Sequence, residues 1–134
     1  MENNIASFIG DNLNKYPKIT FPRGHIIFQD GATAEQAYII ESGIVQISKV
    51  NAAGEGMVFG LLKAGSMFGE LALITKKPRS ATATAMSDTV CRVIAKNDFD
   101  EMMTRLDPFT RKVMQQLIRT LYRLTNLHVI SIVE

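Results

Sequence analysis

Short apolar or β-branched runs alternate with glycines through the middle of the chain. The runs are Ile19–Phe21, Ile26–Phe28, Tyr38–Ile40, Ile44–Val50, Met57–Leu62, Ala81–Met86 and Val90–Ala95. Gly24, Gly31, Gly43, Gly54, Gly56 and Gly65, or the Pro78–Arg79 turn, stand between them. Runs of this length at roughly 8–12-residue spacing predict the strands of a sandwich or barrel. Within Ile44–Val50, Val45, Ile47 and Lys49 fall on one face, with Ile44, Gln46 and Ser48 on the other, an imperfect split.

The flanks have helical periodicity. Asn3–Leu13 carries Ile5, Phe8, Ile9 and Leu13 at helical spacing. Asn97 or Asp98 is placed to cap a short helix through Arg105. Asp107–Pro108 reads as an N-cap followed by proline at the first helical position. From Phe109 to about His128 there is no Gly or Pro, which predicts a long helix. On it, Met114, Leu117, Leu121, Leu124, His128 and Ser131 follow alternating steps of three and four, apolar in the first four. That stripe suits a dimer seam or packing on the chain's own barrel or over a ligand, and Val113, Ile118 and Leu127 widen it. Arg111, Lys112, Arg119 and Arg123 read as a solvated basic face. The apolar ending Leu127–Val133 extends the helix, pairs as a strand or joins an interface.

The expected organisation is one domain over 1–134: a helical segment over about 1–17, a β-roll over 18–96, and C-terminal helices over 97–134. The fold class is mainly β with flanking α. Met1 is expected to be a native start, and the C-terminus is either native or the cut end of something longer.

Composition narrows the function. The 134 residues are 46% apolar and 21% charged, a globular balance. Fifteen basic against 13 acidic residues leave +2, too little to call for nucleic acid or a membrane surface. The single cysteine, Cys91, excludes an internal disulfide and suits a cytoplasmic protein, with the thiol a small buried or half-buried side chain. The first residues lack the basic start and apolar stretch of a signal peptide, and no apolar run nears a membrane span of about 20 residues. The two histidines, His25 and His128, lie at opposite ends of the chain, which disfavours a metal-dependent β-roll enzyme. His25, at a strand start, reads as a surface or structural histidine rather than a ligand.

The stretch Phe68–Ala85, FGELALITKKPRSATATA, carries the chemistry. Gly69 permits a close backbone approach or a positive φ. Glu70-Leu71-Ala72-Leu73 suits one helical turn, whose unsatisfied N–H groups favour an anion. Arg79 follows Pro78 and opens a strand, from which a guanidinium folds back over the same turn to pair with a phosphate. Glu70 cannot hold a phosphate, since like charges repel, but accepts hydrogen bonds from hydroxyls beside it. A carboxylate, a guanidinium and a helix N-terminus together describe a site for a small sugar phosphate.

At these residues the chain resembles the cyclic nucleotide-binding domain family. FGELAL followed by PRSAT, within a cassette spanning 68–82, is similar to that family's phosphate-binding cassette. Gly24-His25-Ile26-Ile27-Phe28-Gln29-Asp30-Gly31 and Ala37-Tyr38-Ile39-Ile40-Glu41-Ser42-Gly43-Ile44-Val45 resemble its early strands and glycine turns. The resemblance runs over about residues 18–128. It extends to the sensor domains of catabolite-activator-type regulators, protein kinase regulatory subunits and cyclic nucleotide-gated channels.

The resemblance implies a jelly-roll-like double-stranded β-helix and a non-enzymatic sensor. It implies a cyclic nucleotide as ligand, cAMP first and cGMP second, with no other cofactor and no metal. Glu70 would take the ribose 2′-hydroxyl, and Arg79 an oxygen of the cyclic phosphate. Backbone N–H groups near Leu71 and Ala72, with Gly69 and Ser80, would complete the cradle. Leu62 and Thr82 would border the base, although strand propensity accounts for Thr82 and Thr84 equally well, and the long helix would cover it. The hydroxyl of Ser80 leaves guanine open. Occupancy would move the C-terminal helices toward an unidentified effector or a second copy of the chain. No DNA contact is expected, because only six residues follow His128 and leave no room for a reading helix. The alternatives are a degenerate, ligand-free interaction domain and the sensor fragment of a larger regulator.

Overall fold

The structure, a computed structural model, describes residues 5–128, with side chains at 7, 8, 122 and 124–128 left aside. The elements run α1 (Ile5–Ile9), a 3₁₀ turn (Gly10–Lys15), β1 (Lys18–Phe21), β2 (Ile26–Phe28), β3 (Gln36–Ser42), β4 (Val45–Val50) and β5 (Gly56–Leu62). They continue as β6 (Met67–Phe68), α2 (Glu70–Thr75), β7 (Thr82–Ala85), β8 (Thr89–Ala95), α3 (Lys96–Thr104) and α4 (Pro108–His128). Asn3 and the ending after His128 lie outside the described residues, as do the side chains of Phe8, Leu124, Leu127 and His128.

Two antiparallel four-stranded sheets form the roll, in the orders β1-β8-β3-β6 and β2-β7-β4-β5. This is the expected mainly β architecture with helices on its flanks. β3 departs from simple alternation: Ala37, Tyr38, Ile39 and Ile40 are all buried. The reason is that its sheet is covered on both faces. Tyr38 and Ile40 join Phe21, Phe28, Val45, Ile47, Phe68 and Cys91 between the sheets. Ala37 and Ile39 pack the other way, with Ala72 and Leu73 of α2, Ile94 of β8 and Phe99 of α3. Ile5, Ile9, Leu13 and Tyr16 of the N-terminal segment close that second core. Cys91 is fully buried, and burial pushes its thiol up to about 12.

The ends of the helices follow local chemistry. Asp107 Oδ1 accepts from the backbone N–H of Thr110 at 2.8 Å, the cap expected before Pro108. α3 differs: it starts at Lys96 behind Ala95, with no side-chain cap, so neither Asn97 nor Asp98 plays that part. The N-terminal helix is shorter than its periodicity predicts, because Gly10 at φ 60 turns the chain into the 3₁₀ segment.

Candidate functional site

The cassette is the crossover between the sheets. β6 lies at the edge of the first sheet and β7 in the second, and residues 69–81 join them. α2 begins at Glu70, as the Gly-Glu pair predicts, behind Gly69 at φ 83 and ψ 0. An ordinary side chain resists that left-handed conformation. Space forbids one as well: a Cβ on Gly69 would lie 2.7 Å from Arg79 Nη1 and 3.2 Å from Phe28 Cε2. The opposite end of α2 is also left-handed, at Lys76 with φ 60. The main chain then runs without regular structure through Pro78 to Arg79. There it pairs with the β2–β3 loop, Arg79 N–H donating to Ala32 O and Gly31 N–H to Arg79 O, both at 2.8 Å. β7 starts only at Thr82, three residues after Arg79 rather than at it.

The guanidinium of Arg79 is the feature everything else surrounds. It is 3% exposed. Nη1 donates to the Gly69 carbonyl at 2.6 Å and Nη2 to the Gln36 carbonyl at 2.5 Å. Its Cζ lies 4.0 Å from the centroid of the Phe28 ring. A buried cation held in this way presents a concentrated, poorly screened positive charge. Glu70, half-buried, heads α2 one residue beyond the glycine that Arg79 grips. Leu71 and Ala72 turn their side chains into the protein, which leaves their amides in the first turn of α2. The hydroxyl of Ser80 is buried and has no hydrogen-bond partner among the described residues. A hydroxyl in that position retains donor and acceptor capacity.

The remaining residues divide. Leu62 is half-buried and packs against the cluster between the sheets. Thr82 is engaged: its Oγ1 accepts from the Asp30 N–H at 3.0 Å. Lys49 reaches the same corner, donating to the Ser80 carbonyl at 2.9 Å and to Asp30 Oδ2 at 3.1 Å. Phe28 and Gln36 thus hold Arg79, and Asp30 and Lys49 hold the residues that follow it, parts that the cassette motif alone does not assign. α4 lines two clefts against α2, one of about 340 Å³ with Leu73, Ile74, Asp100 and Met103, the other with Ile74, Thr75 and Lys77, and a third on its own outer face by Val113 and Leu117. None of the three is lined by Leu62 or Thr82. Among the described residues no three His, Cys, Asp or Glu side chains gather into a metal site. No helix there is long and apolar enough to cross a membrane.

The family model of the cyclic nucleotide-binding domain matches residues 18–105, more than half of the chain. The chain belongs to the cyclic nucleotide-binding domain family. That family is a regulatory binding domain, not a catalytic one. The chain is similar to the cyclic AMP receptor protein of Thermus thermophilus, 28% identical over 109 residues, covering 81% of this chain and 50% of that protein. It is similar to the cAMP-dependent protein kinase regulatory subunit of Blastocladiella emersonii, 34% identical over 85 residues, covering 63% and 21%. It thus spans half or less of the length of these curated relatives. Among solved structures, the cAMP-bound form of the EAL enzyme Bd1971 superposes with a TM-score of 0.78 at 29% identity, covering 84% of this chain and 30% of that one. Its cGMP-bound form gives 0.73 at 30% identity, covering 78% and 28%.

Proposed function

We propose that this cyclic nucleotide-binding domain is a cytoplasmic sensor that takes cAMP in preference to cGMP through the 68–82 cassette. The observation that carries the reading is the buried Arg79 guanidinium fastened to Gly69, at the residue from which Glu70 and α2 depart. A cyclic phosphate is a compact monoanion, and Arg79 with the first amides of α2 supplies the matching positive field. Glu70, an acceptor, takes the ribose 2′-hydroxyl. Ser80 offers its buried hydroxyl to the phosphate. Leu62 gives the base an apolar border, and Thr82, whose oxygen already accepts one bond, keeps its O–H donor and a second lone pair for it. Two relatives are a cyclic AMP receptor protein and a cAMP-dependent protein kinase regulatory subunit, and the cAMP-bound and cGMP-bound neighbours support both bases as candidates.

Transmission follows from packing. Ala72 and Leu73 of α2 share one core with Phe99 of α3 and with Ile5 and Ile9 of α1. A ligand that draws α2 inward therefore moves a packed unit that includes Phe99. It does so only in proportion to its preference for the moved arrangement. On α4, Phe109, Val113, Leu117 and Leu121 are exposed, with Leu117 at 64%. Of the 114–117–121 spacing, Leu117 and Leu121 belong to this exposed face, which suits a second copy of the chain that would read the helix position.

A thermal-shift panel of cAMP, cGMP and linear AMP tests the ligand. At about 100 times its Kd, a bound nucleotide adds about 2.7 kcal/mol of stability. The expected order is cAMP above cGMP, with AMP inert. A melting temperature unmoved by all three would favour a ligand-free interaction domain.

A further inference from the structure

The geometry points to Phe28 as a positioning residue for the anion site, acting through Arg79 without touching ligand. This rests on the proposed role of Arg79. Cζ of the guanidinium lies over the Phe28 ring, 4.0 Å from its centroid, well inside the range of a cation–π contact. The ring closes that side of the guanidinium and limits its movement there. The bonds from Nη1 to Gly69 and from Nη2 to Gln36 set its orientation. Three contacts from β2, the start of β3 and the start of α2 therefore leave the cation little freedom before a ligand arrives.

Phe28 is itself held. Its ring stacks on Tyr38 at 6.2 Å and tilts against Phe68 at 5.9 Å, and those two rings stack on each other at 5.1 Å. All three residues are 9% exposed or less. Tyr38 is fixed in turn by the Gln36 amide, whose Nε2 donates to its hydroxyl at 2.8 Å, while the Gln36 carbonyl takes Arg79. Phe28 belongs to the second sheet and Tyr38 and Phe68 to the first, so the support spans the roll. A bidentate anion partner depends on the fork geometry of a guanidinium, and a loosened fork loses affinity although the charge remains.

The test compares the parent chain with Phe28→Leu, which keeps an apolar side chain and removes the ring. Phe28→Met serves as a second variant should Leu impair folding, and Phe28→Tyr restores a ring. Two readouts are taken. In the ligand-free chain, the Arg79 Nε–H resonance, assigned by its loss in Arg79→Lys, is expected to carry a ring-current shift. It should lose that shift in Phe28→Leu and regain it in Phe28→Tyr. By calorimetry, cAMP affinity should fall about tenfold in Phe28→Leu, and by less than about twofold when Arg79 is already Lys. Unchanged affinity in folded Phe28→Leu overturns the inference, as does an equal loss in the Arg79→Lys background. A parent that binds no cyclic nucleotide but shows the ring-current shift overturns the proposed ligand, and with it this role for a ring that still orients Arg79.

Discussion

Arg79 Nη1 donates to the Gly69 carbonyl oxygen at 2.6 Å, across ten residues of chain. The bond ties the end of the cassette to its beginning and makes one object of the Gly-Glu and Pro-Arg pairs. It also gives Gly69 two reasons to be glycine. The backbone sits at φ 83, and the space where a Cβ would go is filled by the guanidinium.

Gly69→Ala therefore meets both obstacles at once. The left-handed conformation and the displaced Arg79 are expected to cost about 1–3 kcal/mol of stability together. Cyclic nucleotide affinity should fall with it, because the guanidinium must leave its two carbonyls. Denaturant unfolding and calorimetry on the same sample check both effects, and a variant matching the parent in both would contradict this picture of the turn.

Glu70→Gln separates the ribose from the phosphate. Gln retains an acceptor oxygen and removes the charge, so the hydroxyl contact survives in weaker form. The expected loss of cAMP affinity is about tenfold, corresponding to about 1.4 kcal/mol, smaller than that of any change at Arg79. Tighter binding by Glu70→Gln in a competition assay would contradict the ribose assignment.

Sequence and structure agree most where the signal is local. The Gly69-Glu70 turn, the Asp107 cap and the glycine-punctuated strands all depend on neighbours within a few residues. What escaped detection is long-range. Arg79 meets Gln36 across 43 residues, and Asp30 meets Thr82 across 52. No spacing rule links such pairs, so Phe28 reads as one more strand residue until the fold brings it under Arg79. β6 is only two residues long and leaves no periodicity. β3 hides its alternation because helices cover its second face. α3 starts one residue ahead of Asn97 because the last residue of β8, Ala95, takes the cap position, where its methyl offers no acceptor.

Acid stability is expected to involve Glu41. The hydrogen bond from Arg92, assisted by Lys18, holds its carboxyl below the ordinary 4.5. The Arg92 Nε–Oε1 distance is 2.7 Å, and the same guanidinium donates to the Tyr16 carbonyl at 2.9 Å, fastening the N-terminal segment. A depressed carboxyl stabilises the fold above its unfolded value and loses that contribution as pH falls through its folded value. Urea midpoints measured from about pH 6 down to about pH 3 should decline in the parent, and Glu41→Gln should flatten part of that decline. Identical slopes in the two proteins would remove Glu41 from the explanation.

The α4 stripe is tested by charge. Leu117→Glu places a carboxylate in the centre of the proposed contact between copies, where desolvation opposes association. Sedimentation equilibrium should give a dimer for the parent and a monomer for the variant, with cyclic nucleotide binding retained. A monomeric parent at tens of micromolar would reassign the stripe to a different partner.

The most direct measurement is calorimetric titration of cAMP into the parent and into Arg79→Ala. Removing one member of a buried charge-paired contact costs about 2–5 kcal/mol, so affinity should fall about 30-fold or more, with the variant still folded. Equal affinity in the two proteins would contradict the account and place the phosphate somewhere other than beside Arg79.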